Sequence, residues 1–243
     1  MGLLSDLKTL YYITLKPIRG SDHAARLESF YAGQAEEYDN FRRRLLQGRQ
    51  ELYSALTIPE GGIWVDLGGG TGANLEFFGD RIARLQKIYL VDLSHSLLQV
   101  ANQRIRERGW TNVETVEADA TVYQPAAGPV DVVTFSYSLT MIPEWYAALD
   151  QARAMLKPGG TIGVVDFYFS RKYPPDGLRR HRWFTRTVLP LWFANDNVFL
   201  STDHIHYLHR HFVPVHFEER TSGIPYVPFV RAPYYTFVGH KRE

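Results

Sequence analysis

A carboxylate and a run of glycines follow an apolar segment, and this order of residue types is suited to holding a nucleotide-like ligand. Residues 63–72 read Ile-Trp-Val-Asp-Leu-Gly-Gly-Gly-Thr-Gly, so a strand pattern leads through Asp66 to Gly68, Gly69 and Gly70. Glycine permits positive φ angles and a close approach of the backbone to a ligand, and a helix after such a turn presents free N–H groups. The segment therefore predicts a ligand-binding turn.

The glycine turn alone leaves the ligand open. Gly68, Gly70 and Ala73 also fit the Gly-x-Gly-x-x-Gly/Ala pattern of dinucleotide-binding folds, so both NAD and S-adenosylmethionine are compatible with it. Residues 88–92 predict a second buried strand, which ends at Asp92 and is followed by Leu93. A carboxylate there can bind two ribose hydroxyls of either cofactor, although Asp92 could instead cap the next helix.

Later motifs favour S-adenosylmethionine. Asp119 and Ala120 follow a third strand pattern and can receive the exocyclic amine of adenine, while Ser136 ends a fourth. An amphipathic helix pattern at 145–155 then leads through Leu-Lys-Pro-Gly-Gly to another apolar strand. In this order the motifs resemble class I S-adenosylmethionine-dependent methyltransferases. The resemblance implies this cofactor, the product S-adenosylhomocysteine, and the residues named above as its binding site.

The alternation of strand and helix patterns predicts an α/β fold with a doubly wound, mostly parallel, seven-stranded Rossmann-like sheet. We expect a helical cap over residues 1–60, including one long helix over about 24–56, before a methyltransferase domain over 61–243. A basic and aromatic insertion at about 170–203 should precede a helix near 204–211 and the last two strands. The predicted strands lie near residues 63–67, 88–92, 113–117, 130–136, 161–167, 213–221 and 234–240.

Composition limits the classes of function without choosing one. The chain has 243 residues, 45% of them hydrophobic, and a net charge of +1, so no overall field attracts nucleic acid. It has no cysteine, which excludes disulfides, thiolate nucleophiles and cysteine metal sites. The apolar runs are shorter than a membrane-spanning helix needs. We expect a cytoplasmic protein that binds peripherally to the cytoplasmic face of the membrane.

Two segments point to a lipid substrate through a second resemblance. Residues 30–39 with 42–49, and residues 192–201 with 203–205, resemble the methyltransferase part of betaine-lipid synthases. Enzymes of that family transfer three methyl groups to the amine of diacylglyceryl-homoserine, giving diacylglyceryl-trimethylhomoserine. The resemblance implies an N-methyltransferase that works beside a separate aminocarboxypropyl transferase, which attaches the homoserine part.

Other substrates stay open. Phosphatidylethanolamine N-methylation is the nearest rival, a small-molecule or quinone methyltransferase is a second alternative, and a non-catalytic S-adenosylmethionine-binding subunit is a third. The loop over residues 135–143 lacks the Asn-Pro-Pro-Tyr sequence of methylases that act on nucleic-acid bases or protein glutamine. This absence argues against those two acceptors.

Candidate catalytic residues come from the cap, the loop after the fourth strand and the insertion. The methyl group of the cofactor is already activated, so the enzyme must mainly position and desolvate the acceptor. Aromatic faces suit cationic groups, which favours Tyr31, Tyr38 and Tyr137, although each could be a core tyrosine. Asp203 and His204 could orient the carboxylate or amine of the substrate.

The insertion is rich in cations and aromatic rings. Within sixteen residues it is opposed only by Asp176, and this composition suits an anionic membrane surface, although a solvated basic face or internal ion pairs would explain it equally. No nucleic-acid-binding motif accompanies it. Its basic residues are Arg171, Lys172, Arg179, Arg180, Arg182 and Arg186.

Several histidines and the first residues have weaker interpretations. His181 is a poor candidate for a base, because its cationic neighbours should lower its pKa. The histidines within 204–211 fall on mixed helix faces, so we expect no metal site. An apolar helix face over residues 3–15 could enter lipid or pack on the core.

Overall fold

The computed structural model describes Glu28 and residues 44–242, apart from residues 196 and 226. Helices and strands alternate through most of this range. In chain order they are α1 (Arg49–Ala55), β1 (Ile63–Leu67), a 3₁₀ helix (Ala73–Arg84), β2 (Lys87–Asp92), α2 (His95–Arg108), β3 (Val113–Glu117), β4 (Val130–Ser136), a 3₁₀ turn (Leu139–Met141), α3 (Trp145–Met155), β5 (Leu156–Phe167), α4 (Trp183–Asn195), α5 (His204–His211), β6 (Phe212–Ile224) and β7 (Val227–Lys241).

The strands form one seven-stranded sheet in the order β3-β2-β1-β4-β5-β7-β6. The first five strands pair in parallel, and β7 lies antiparallel between β5 and β6. The strand order reverses between β1 and β4, where Leu67 pairs with Phe135. Ligands of doubly wound sheets bind at the carboxyl ends of the strands beside such a switch point. The predicted fold class is confirmed.

Apolar cores cover both faces of the sheet. On one face α3 and α5 bury residues such as Leu149 and Leu208, and on the other α1, α2 and α4 bury Leu52, Leu98 and Leu189. All five residues of β1 are buried. A strand buried on both faces reads as a continuous apolar run, which explains why the sequence identified it.

One predicted helix is interrupted, and one helix was not predicted. The helix expected over 24–56 is interrupted at residues 46–48, where Gly48 has a φ of 82°. A Cβ atom at Gly48 would lie 2.5 Å from the ring of Tyr234, so the chain turns there to pass over β7. The insertion at 170–203 also contains α4, a helix that the sequence did not indicate because Pro190 lies inside it.

Candidate active site

The glycine turn joins the ends of β1, β2 and β4. The N–H groups of Gly68 and Gly69 donate to the carbonyl of Val91 at 2.8 and 3.0 Å. Gly68 has a φ of 69°, and a Cβ atom on it would lie 2.4 Å from the Cβ of Ser138. Only glycine fits this position, because both the conformation and the contact exclude a side chain.

Asp66 supports the turn from beneath. Its side chain is fully buried, accepts hydrogen bonds from Thr134 Oγ1 at 2.6 Å and Asn74 Nδ2 at 3.3 Å, and would lie 3.2 Å from a Cβ at Gly69. Burial raises the pKa of Asp66 to about 6. Ser136 lies in the same buried layer, with its Oγ 3.5 Å from Asn74 Oδ1.

Asp92 connects the turn to the start of α2. Its carboxylate accepts from the N–H of Gly70 at 2.8 Å and from the N–H of Ser94 at 2.9 Å. Ser94, rather than Asp92, is the N-cap of α2, since its Oγ accepts from the N–H of Leu97. Glu28, which belongs to the segment predicted as a helical cap, lies beside this point, because Ser94 Oγ donates to its carboxylate at 2.8 Å.

A cavity of about 300 Å³ opens over these elements. It brings together six of the predicted cofactor residues and Tyr137, whereas Asp66, Gly69 and Ser136 lie behind its wall. We call it the cofactor cavity, and it is lined by Gly68, Gly70, Val91, Asp92, Leu93, Leu97, Ala118, Asp119, Ala120, Thr121, Tyr137, Ser138, Met141, Ile142, Pro143 and Glu144.

The lining fits S-adenosylmethionine on three grounds. The glycine cradle is space that a Cβ atom would fill, and the Asp92 carboxylate lies at the end of β2, where ribose hydroxyls can bind. At the far end Asp119 Oδ1 accepts from both the N–H and Oγ1 of Thr121 at 2.8 Å, which fixes its carboxylate at the wall. Apolar side chains such as Leu97 lie between them.

Tyr137 lines the cavity in an unusual conformation. Its φ is 56°, its ring packs 4.6 Å from that of Phe167, and its hydroxyl donates to the carbonyl of Gln47 at 2.6 Å. Burial, with the neighbouring Asp166 charge, raises its pKa well above the usual value. The structure therefore places Tyr137 as a link between the cavity wall and the segment before α1.

The turn after β4 is fixed from two sides. Asp166, fully buried at the end of β5, accepts from Thr140 Oγ1 at 2.7 Å and from the Thr140 N–H at 3.2 Å. The carbonyl of Thr140 accepts from the N–H of Phe199 at 2.7 Å. Burial raises the pKa of Asp166 to about 7. Sequence reasoning missed Asp166, because a single aspartate in an apolar strand carries no motif.

A second cavity of about 510 Å³ adjoins the first. The two cavities share Ile142 and Pro143 as a wall. We call the second one the acceptor cavity, and its lining is mostly apolar: Ile142, Pro143, Trp145, Phe169, Asn197, Phe199, Leu200, Ser201 and Thr202. Its wall includes residues 197 and 199–202 of the insertion.

The predicted catalytic pair of the insertion lies outside both cavities. Asp203 is partly exposed and pairs with Arg171 at 2.6 Å. His204 is fully buried against the ring of Trp145, with centroids 4.7 Å apart, and neither ring nitrogen has a hydrogen-bond partner. Burial lowers the pKa of His204 to about 3, so it stays neutral. His204 is the first residue of α5, and its ring is buried in the core rather than exposed to either cavity.

The other candidates are placed as follows. The pKa of His181 is lowered, chiefly by burial, and its Nδ1 accepts from the N–H of Ser170 at 3.0 Å. Tyr31 and Tyr38 lie outside the described residues. Among the residues that are described, no group of three or more His, Cys, Asp or Glu could hold a metal ion. No helix in the described ranges is long and apolar enough to cross a membrane.

Fold, glycine turn and cofactor cavity together define a class of protein. Residues 65–160, from β1 into β5, match the family model described as a methyltransferase domain. The protein is an S-adenosylmethionine-dependent methyltransferase with the class I fold.

Individual relatives are similar to this chain only at low sequence identity. The chain is 24% identical over 182 residues to the ubiquinone/menaquinone biosynthesis C-methyltransferase UbiE of Hahella chejuensis, covering 72% of each chain. It is 28% identical over 153 residues to UbiE of Pseudomonas putida, covering 60% of each.

Solved structures share the fold at lower identity. The phosphoethanolamine N-methyltransferase 2 of Haemonchus contortus, in complex with phosphomonomethylethanolamine and S-adenosylhomocysteine, has a TM-score of 0.68 at 13% identity, over 92% of this chain and 61% of that one. YcgJ of Bacillus subtilis has a TM-score of 0.62 at 15% identity, over 81% of this chain and 98% of that one.

Proposed function

We propose that the protein methylates the amine headgroup of a lipid, converting diacylglyceryl-homoserine to diacylglyceryl-trimethylhomoserine in three successive transfers. The observation that carries the proposal is the apolar acceptor cavity, which shares Ile142 and Pro143 with the cofactor cavity. An acceptor held there by apolar groups has its reactive end beside the cofactor. The two sequence segments that resemble betaine-lipid synthases support the same substrate.

The chemistry asks the chain to position and desolvate an amine. S-adenosylmethionine supplies the activated methyl group, and each transfer forms one N–C bond while one S–C bond breaks. The amine must lose a proton before each attack, so three protons are released overall. A largely apolar cavity lowers the pKa of an ammonium group and thereby favours the neutral nucleophile. Trp145 lines the cavity, and an indole ring is a residue type that attracts a methylated cation.

The insertion supports action at a membrane surface. Tyr173 and Trp183 are 72% and 67% exposed, and the Nζ of Lys172 and the Cζ of Arg180 lie 5.3 and 5.5 Å from the centre of the Tyr173 ring. Exposed rings beside cations suit an anionic lipid surface. We define the basic aromatic surface as Lys172, Tyr173, Arg180, Arg182, Trp183 and Phe184. The proposal includes peripheral membrane binding and a separate transferase that supplies the homoserine lipid.

A second candidate is C-methylation of a quinone-type ring. The relatives named UbiE favour it, since they carry that activity in their name and align over most of the chain. An apolar acceptor cavity would also admit an isoprenoid quinol. The two candidates differ in the acceptor atom, which is nitrogen in the first and ring carbon in the second.

Mass measurement of methylated products separates these candidates. Purified protein is incubated with methyl-labelled S-adenosylmethionine and detergent micelles of diacylglyceryl-homoserine, phosphatidylethanolamine or a reduced quinone. We expect one, two and three methyl additions to the homoserine lipid alone.

Each alternative outcome identifies a different acceptor. Labelling of phosphatidylethanolamine or of the quinol would overturn the homoserine proposal in favour of that acceptor. Gly68→Ala is the control that removes cofactor-dependent labelling, because its Cβ would meet Ser138. Gly128→Ala is the matched variant for comparison. Gly128 has the same left-handed backbone conformation, with a φ of 82°, but a Cβ atom there would meet nothing within 4 Å.

A further inference from the structure

Glu144 lies where the two cavities meet. It lines the cofactor cavity, whereas the next residue, Trp145, lines the acceptor cavity and the preceding Pro143 lines both. Glu144 is therefore part of the wall of the cofactor cavity, directly beside the shared residue Pro143. A reacting nitrogen that comes from the acceptor cavity must pass this wall.

The fold makes little structural use of the Glu144 side chain. Glu144 occupies the N-cap position of α3 but makes no side-chain cap hydrogen bond, and it is exposed. Its carboxylate hydrogen-bonds with Tyr146, an exposed residue, and this contact raises the pKa of the Tyr146 hydroxyl. An N-cap residue that does not cap leaves its charge available to a ligand.

The other carboxylates of the cofactor cavity are held elsewhere. Asp92 accepts hydrogen bonds from the glycine turn and from Ser94, and Asp119 accepts from Thr121. They lie at the ends of β2 and β3, where we expect the ribose and the adenine of the cofactor to bind. Among the described residues that line either cavity, Glu144 is the acidic residue at the acceptor end.

We propose that Glu144 binds the amine of the acceptor and is thereby a catalytic residue that selects cationic over neutral acceptors. This inference rests on the proposed function. The carboxylate accepts charge-assisted hydrogen bonds from the incoming ammonium group, takes one proton from it as the neutral amine forms, and passes that proton to the solvent to which Glu144 is exposed. After each transfer it attracts the methylated cation. The number of N–H donors on the acceptor nitrogen decreases from three to none as methyl groups are added, whereas the nitrogen is positively charged again after each transfer.

Glu144→Gln tests this role, because it keeps the side-chain shape and removes the charge. We expect kcat/KM for diacylglyceryl-homoserine to fall by roughly 10- to 100-fold, mainly through KM, as expected for loss of a charge-assisted hydrogen bond. The Kd for S-adenosylmethionine, measured by calorimetry, should change less than about twofold. Glu144→Asp, which retains the charge, should recover part of the loss.

Glu60→Gln is the matched control, since Glu60 is exposed and precedes β1 at the opposite end of the strands. It should leave both constants unchanged. If the wild-type protein methylates the homoserine lipid and Glu144→Gln keeps its KM, Glu144 is not the amine-binding residue, although the proposed function stands. If the wild-type protein methylates no amine, the proposed function itself is overturned, and the role of Glu144 with it.

Discussion

Two buried carboxyl groups mark the ends of the strands that carry the site. Asp66 is the penultimate residue of β1, beneath the glycine turn, and Asp166 is the penultimate residue of β5, beneath the turn after β4. Burial raises their pKa values to about 6 and about 7. Each carboxyl orients backbone or hydroxyl groups next to a cavity, which explains why a polar group is retained inside an apolar core.

Asp166 makes stability depend on pH with a definite sign. Its pKa of about 7 in the folded protein exceeds the ordinary value of 3.8, so between these limits the folded state binds more protons than the unfolded state. The contribution of this residue to the free energy of unfolding therefore falls as pH rises from about 4 to about 7.

Asp166→Asn removes that dependence. We expect the free energy of unfolding of the wild type, relative to Asp166→Asn, to be larger at pH 5 than at pH 8 by about 3 kcal/mol. Urea unfolding of both proteins at the two pH values measures the difference. A difference that stays constant or grows with pH would contradict the raised pKa.

Among the elements, the 3₁₀ turn Leu139–Met141 links the two cavities to the sheet. Thr140 is bonded to Asp166 on one side and to Phe199 on the other, while Met141 and Ile142 line the cofactor cavity. Thr140 is therefore one of the residues that attach the insertion to the core, beside buried side chains such as Leu189, and displacement of the turn would alter both cavities.

Thr140→Val tests this link, because it keeps the shape of the side chain and removes the hydroxyl that bonds the buried carboxyl. At pH 8, where Asp166 is ionised, we expect the free energy of unfolding to fall by about 1.5–3 kcal/mol, the cost of losing a hydrogen bond to a charged group. KM for both the cofactor and the acceptor should rise. Thr140→Ser keeps the hydroxyl and should resemble the wild type in denaturation and steady-state kinetics. Equal behaviour of the Val and Ser variants would show that the hydroxyl is not needed.

The elements also show how far the sequence could predict this molecule. Strands β1 to β4 were identified nearly to the residue. β1, β2 and β4 are buried on both faces and read as short apolar runs between turn signals, whereas β3 is a part-exposed edge strand with the sequence Val-Glu-Thr-Val-Glu. The interruption of the predicted helix at Gly48 could not be predicted, because it depends on contact with Tyr234, which is distant in sequence. Helix propensity takes no account of such a contact.

The candidate site, too, could be predicted only in part from the sequence. Gly68, Asp92 and Asp119 were predicted from local motifs, and the structure brings them to one cavity. The acceptor cavity was not predictable as a space, because residues 142–145 meet residues 197–202 only in the folded chain. Nor could a pattern show that His204 points into the core, since its burial depends on contact with Trp145.

Over the whole molecule, positive and negative charges nearly cancel, but they are unevenly distributed. The net charge is +1, yet the segment 171–186 contains six of the basic residues with a single acidic one. Arg171 is paired with Asp203, whereas Lys172 and Arg180 lie over the exposed ring of Tyr173. The helix that follows this segment leads to residues 197–202 of the acceptor cavity. Under the proposed function, α4 therefore joins the surface that binds lipid to the chain segment that lines the acceptor cavity.

Vesicle binding tests this arrangement. We expect the wild-type protein to sediment with vesicles of phosphatidylcholine and phosphatidylglycerol, and less with phosphatidylcholine alone, and binding should weaken as salt screens the charges. Arg180→Ala with Arg182→Ala should reduce affinity by roughly tenfold or more, since each cation near an anionic surface contributes about 1 kcal/mol. Trp183→Ser with Phe184→Ser should weaken binding at every salt concentration, because the apolar contribution is not screened.

Val215→Ser is the control for these variants, since Val215 is 59% exposed on β6, outside the basic aromatic surface. It should sediment like the wild type. Activity on substrate in detergent micelles separates membrane binding from catalysis, because micelles deliver the lipid without an anionic bilayer. If the surface acts only in docking, its variants lose activity on vesicles and keep it on micelles. A wild-type protein that stays in the supernatant with anionic vesicles would show that this surface does not bind membranes, and the substrate would then have to reach the acceptor cavity by another route.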